Sequence, residues 1–272
     1  MQQYPKVRPV FEIKEEPGSA IIQPVLYFRV GEKHCSFAVT DSSAGQLYRL
    51  AWYAAEQVDL CFLEELTTLH PELKQSFYQV QVCYDYPQGI LFPVAGFRHE
   101  DAGQLKELLP SSNITVTEML PEWQLFNVYA VPKEVHEWVN RQFPSARQWH
   151  QSSVSLRNNI TASAGCLRVD FRQHDFTLLA TKGHQLLLSQ AFEYSTPEDV
   201  IYFLLNTCRQ FALLQNEVKL ELSGLVDKQS ALYKELYQYF IHIDFRDAAW
   251  RSNNEHPAHF FTSLNDLSKC VS

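Results

Sequence analysis

Three runs, LRVDF (Leu167–Phe171), FTLLAT (Phe176–Thr181) and QLLLSQAF (Gln185–Phe192), follow one another with only short breaks, and Lys182 and Gly183 supply a hairpin turn between the last two. That spacing predicts an antiparallel meander. It runs into a helix start: Thr196 caps, Pro197 suits the first helical position and Asp199 stands where a capping box needs an acid. Val200, Leu204, Cys208 and Phe211 then share one helical side. A strand at Val218–Leu222, a break at Gly224, a helix over Asp227–Phe240 and a strand at Ile241–Phe245 complete the pattern.

The same pattern opens earlier, at Val25. Val25–Val30, His34–Thr40 and Leu47–Ala54 read as strands around turns at Gly31–Lys33 and Asp41–Gly45. Leu63, Leu66 and Leu69 stripe a helix over Leu60–Leu69 that Pro71 limits, and Gln79–Tyr84 alternates as the next strand. Beyond it come strands at Ile90–Val94, Ile114–Met119 and Leu125–Val131, a helix near Glu100–Leu109, and a helix over Lys133–Phe143 behind Pro132. A repeated unit fixes architecture before residue chemistry is weighed. The expectation is an α/β chain of two tandem domains with mixed sheets flanked by helices, antiparallel in the meanders and parallel across the strand–helix–strand crossovers. An N-terminal arm over residues 1–23 precedes a first domain over 24–152 and a second over 153–272.

With 272 residues and 46% hydrophobic composition, the chain has material for more than one core. A net charge of −8 argues against binding to nucleic acid or to anionic membrane surfaces, because the signs match. Six cysteines are scattered without metal-site spacing, which predicts reduced, buried thiols in a cytoplasmic protein. The run Ile21–Val30 is short and interrupted by Pro24 and Arg29, so no membrane insertion is expected. His256 and His259 have the spacing of a metal pair, but Pro257 between them breaks the helix such a pair needs, and a structural role is the expectation. Tyr233, Tyr237 and Tyr239 cannot share one helical face, so at least one is expected at the surface as a contact for another protein.

Strand, strand, strand, helix, strand, helix, strand is the order of a ribonuclease H-like domain, and two in tandem resemble the actin, Hsp70 and sugar-kinase superfamily. In texture, Gly89–Phe97, Phe176–Gly224 and His259–Cys270 resemble a Bacteroidota family of unknown function with the actin-like ATPase fold. The resemblance implies an ATP and magnesium site in which each domain's first hairpin holds phosphate, using an acid for the metal and a glycine for close approach of backbone N–H groups. Here the first hairpin reads Arg29, Val30, Gly31, with the glycine but not the acid. The second reads Asp170, Phe171, Arg172, with the acid but not the glycine. Leu220–Leu225, with its single Gly224, matches the strand of the adenosine loop and one of its two glycines.

Those residues are the expected remnants of a nucleotide cleft between the domains, with Arg29 and Arg172 either contacting an anion there or pairing with carboxylates such as Asp41, Asp170 and Asp175. The incomplete motifs favour a degenerate actin-like ATPase-fold protein that acts on another protein as an interaction or regulatory module, with ATP and magnesium not favoured. An active ATPase or kinase with a departed phosphate site, or a binder of an anionic metabolite, is the alternative. Neither GxSxG nor a Walker A sequence is present, and no metal site is expected.

Overall fold

Leu26, Phe28 and Val30 face one side of a strand and Tyr27 and Arg29 the other, the period of two that a sheet with both faces covered requires. In a computed structural model, described over residues 7–15, 21–43, 45–97, 111–158 and 162–270, that strand lies in the middle of a six-stranded sheet. The chain divides into two units: Met1–Arg157 with Trp250–Asn254 and Leu267–Ser272, and Asn158–Ala249 with Glu255–Asp266.

The elements of the first unit are, in order, β1 (Pro9–Lys14), β2 (Val25–Gly31), β3 (His34–Thr40), β4 (Leu47–Ala54), α1 (Leu60–Leu69), β5 (Gln79–Asp85), β6 (Gly89–Pro93), β7 (Asn113–Leu120), β8 (Leu125–Pro132), α2 (Lys133–Gln142), β9 (Arg147–His150) and α3 (Gln151–Arg157). The large sheet runs β1-β4-β3-β2-β5-β9. The meander β2-β3-β4 is antiparallel, and β5 and β9 join as parallel neighbours. Phe62, Leu63 and Leu66 of α1 and Val135, Trp138 and Val139 of α2 bury one face of the sheet, where Trp138 and Phe143 pack on Phe28. A separate sheet, β6-β8-β7, is inserted between β5 and α2.

The second unit repeats the plan. Its elements are β10 (Cys166–Phe171), β11 (Asp175–Lys182), β12 (Gln185–Glu193), α4 (Pro197–Gln210), β13 (Lys219–Gly224), α5 (Ala231–Tyr239) and β14 (His242–Phe245), and α6 (Thr262–Ser268) is the last element of the described residues. Strand order is β12-β11-β10-β13-β14, antiparallel through the meander and parallel from β10 to β14. Removing β1 and the inserted sheet from the first unit leaves this same order. The Thr196 capping box forms in full at the start of α4, and burial of Val200, Leu204 and Cys208 sets its inward face.

Some expectations are refined. Within the N-terminal arm, Pro9–Lys14 pairs antiparallel with β4 as a sheet edge. The boundary expected between residues 152 and 153 falls within α3. The helix expected from Asp227 begins at Ala231, because Asp227 accepts the Gln229 amide in a turn and Ser230 caps the helix on the Tyr233 amide. The helix expected near Glu100–Leu109 lies outside the described residues.

Candidate functional site

In each unit the first meander strand ends beside the parallel strand that follows the first helix. The last rung of β2 and β5 pairs Gly31 with Asp85. Three groups converge there. Arg29, 2% exposed, donates from Nε and Nη2 to Asp85 Oδ2 at 3.0 and 2.6 Å. His34 Nε2 lies 2.9 Å from the same oxygen, and its ring stacks on Trp52. A Cβ on Gly31 would stand 2.4 Å from His34 Cε1 and 2.6 Å from the Asp85 carbonyl oxygen. The glycine therefore admits the protein's own imidazole and backbone.

The second unit ends its corresponding ladder with Phe171 opposite Gly224. Gly224 has φ +78°, and a Cβ there would lie 2.1 Å from the Phe171 carbonyl oxygen. One rung back, the buried Asp170 accepts a 2.9 Å hydrogen bond from Ser223 Oγ. Arg172 donates through Nε to Asp175 and holds Nη1 3.9 Å from Asp170 Oδ2. Asp41, offered by the sequence as an arginine partner, instead accepts from Ser43 Oγ and the Gly45 amide inside its own turn. Each arginine is thus paired with a carboxylate of its own unit, and both glycines are dictated by strand approach.

The residues of the first unit do not fit a magnesium-bound phosphate at this rung. A guanidinium occupies the position where the metal's acid is expected, and the carboxylate of this rung, Asp85, is committed to it. Among the described residues no group of three or more His, Cys, Asp or Glu side chains is placed to hold a metal ion.

Deeper in the second unit, a further pair spans β10 and β13. Arg168 donates from Nε and Nη2 to Glu221 Oε2 at 3.0 and 2.8 Å. Burial would raise the Glu221 carboxyl, but Arg168, with help from Lys219, overrides it and holds the group below the usual carboxylate range. The pair is missed in sequence because 53 residues separate its members. His259 is buried, with its Nε2 2.7 Å from the Val226 carbonyl oxygen, and burial keeps its pKa below the ordinary histidine value.

Two surface features complete the candidates. A cleft of about 510 Å³ opens at the start of α2 in the first unit, with Glu32, Glu134 and Glu137 on its walls against, among the described residues, a single lysine, Lys133. In the second unit the exposed side chains of Leu214, Tyr237, Tyr239 and Ile241 line one groove of about 480 Å³, while Tyr233 packs on Phe245. Among the described residues no helix is long and apolar enough to cross a membrane.

The chain finds no match among curated proteins. Solved structures do resemble it. A Bacteroides thetaiotaomicron VPI-5482 protein with actin-like ATPase fold and unknown function is 19% identical, with a TM-score of 0.75 over 92% of this chain and 96% of that one. A chain of the PilM-PilN type IV pilus biogenesis complex is 12% identical, with a TM-score of 0.57 over 90% and 97%. The ethanolamine utilization protein EutJ of Carboxydothermus hydrogenoformans is 8% identical, with a TM-score of 0.51 over 96% and 91%. The fold is that of the actin-like ATPases, and the family model described as "Protein of unknown function (DUF3822)" matches residues 21–243, so the chain belongs to the DUF3822 family.

Proposed function

We propose that this chain is a degenerate actin-like ATPase-fold protein that works in the cytoplasm as an interaction or regulatory module and does not turn over nucleotide. The observation that carries this reading is the closure of both strand ends on the protein's own groups. Phosphoryl transfer depends on a positioned cation and donors around the charge that develops on the phosphoryl oxygens. Here Arg29 binds Asp85, and Asp170 takes the Ser223 hydroxyl with Arg172 nearby. The three glutamates of the cleft beside α2 add a field that repels polyphosphate.

Two observations support the interaction half of the reading. Leu214, Tyr237, Tyr239 and Ile241 gather four exposed apolar or aromatic side chains in one groove, the kind of patch that partner proteins cover. The PilM-PilN neighbour, alike in fold, belongs to a pilus assembly complex.

Titration with a fluorescent ATP analogue, with and without Mg²⁺, tests the proposal. The expected result is no saturable, metal-dependent binding up to millimolar nucleotide. Tight binding that requires Mg²⁺, with phosphate release on incubation, would establish an ATPase or kinase working through a departed site.

A further inference from the structure

The cleft at the start of α2 holds a feature that charge alone does not explain. Tyr86 forms part of its wall, is 3% exposed, and its buried hydroxyl has no hydrogen-bond partner. A buried hydroxyl left unsatisfied is uncommon and calls for an explanation, such as a group that arrives from outside. Glu32, Glu134 and Glu137 line the same cleft and are all exposed, with Glu32 also accepting from Gln88 Nε2 at 3.1 Å. Among the described lining residues Lys133 is the one opposing charge and stands 3.7 Å from Glu137, so their balance stays negative. The positive end of α2 lies at the same place, and Glu134 in its first turn offsets that field. Val58 and Pro132 add apolar wall.

We propose that this cleft binds an alkylammonium or guanidinium group. The cationic head sits among Glu32, Glu134 and Glu137, the Tyr86 hydroxyl accepts one of its N–H bonds, and the alkyl stem lies along Val58 and Pro132. Long basic side chains suit such a place because their stems are apolar and their heads are charged. A free polyamine and a lysine or arginine side chain presented by a partner protein share this chemistry. The inference stands whether or not nucleotide binds elsewhere, since it uses neither strand-end rung.

Calorimetric titrations of the full chain separate the sources: one with spermidine, one with a glycine-flanked single-lysine peptide, and one with the alanine version of that peptide. Saturable binding of spermidine or of the lysine peptide, with the alanine peptide silent, is expected. Glu134→Gln with Glu137→Gln should weaken it roughly fivefold or more, and added salt should weaken it further. Tyr86→Phe removes the orphaned hydroxyl, so it should weaken binding without lowering the melting temperature, which separates a ligand role from a structural one. Spermidine binding alone assigns the cleft to a small amine, and peptide binding assigns it to a partner's side chain. Silence from both probes, or binding that the double glutamine variant leaves unchanged, overturns the proposal.

Discussion

The last parallel rung of the first unit is Gly31 opposite Asp85, and that of the second is Phe171 opposite Gly224, so the glycine sits on the first strand in one unit and on its neighbour in the other. Charge is exchanged in the same way. At the strand ends the first unit carries an arginine on β2 and its acid on β5, whereas the second carries its acid on β10, with Ser223 opposite and Arg172 just beyond, and repeats the first unit's arrangement only deeper in the sheet, in Arg168 and Glu221. Two strand ends that close together need one residue without a Cβ, and either strand can supply it. The difference teaches that these glycines answer a steric demand inside each sheet. It also accounts for the glycine that the first hairpin, read in sequence, shares with a phosphate motif.

Gly224→Ala should break the comparison most severely. It forces a side chain into positive φ and against the Phe171 backbone, which together cost about 3–5 kcal/mol in chemical denaturation. Gly31→Ala meets a movable imidazole as well as the Asp85 carbonyl, without positive φ, and should cost about 1–3 kcal/mol. Equal costs would remove the distinction drawn between the two rungs.

Removing the acids sharpens the contrast in charge. Asp85→Ala takes away the carboxylate that two Arg29 nitrogens engage in a buried setting and should cost about 3 kcal/mol. Asp170→Ala removes the acceptor of the Ser223 hydroxyl and a 3.9 Å neighbour of Arg172, which keeps Asp175, so about 1–2 kcal/mol is expected from the same denaturation curves. The reverse order would mean that the second unit, not the first, depends on its ion pair.

The smallest effect is in pH. His150 of the first unit is buried, its Nε2 2.9 Å from the Tyr86 carbonyl oxygen and its Nδ1 3.0 Å from Asn127 Nδ2, which fixes the neutral tautomer with Nε2 protonated. Burial holds its pKa below the ordinary value of 6.5, as it does for His259 of the second unit. The unfolded chain therefore takes up protons first as pH falls, so this stability is fully present above about pH 6.5 and is lost below it. Melting temperature should fall between pH 7 and pH 5, and His150→Gln should flatten that profile.

Much of this fold is legible because its signals are local. The hairpin at Lys182 and Gly183, the capping box at Thr196 and the leucine stripe of α1 each depend on residues within a few positions of one another. β1 is not legible in the same way, since Pro9–Lys14 becomes a strand only by pairing with β4 about 40 residues later. The candidate residues stand out in the sequence as charged groups and glycines at strand ends, but their partners are set by register. Arg29 meets Asp85 across 56 positions, and no spacing in the sequence specifies which acid a parallel ladder will bring to it. Tyr86 leaves no trace in the pattern, because an orphaned hydroxyl is a property of surroundings.

Thermal unfolding with and without millimolar ATP and Mg²⁺ tests most directly whether both strand ends are closed. A ligand at about a hundred times its dissociation constant adds about 2.7 kcal/mol, enough to raise the melting temperature of a chain this size by several degrees. The closed-rung account predicts no such rise in the native chain or in Asp170→Ala. A rise of several degrees that requires Mg²⁺ and disappears in Asp170→Ala would contradict it, by showing that Asp170 serves a bound nucleotide.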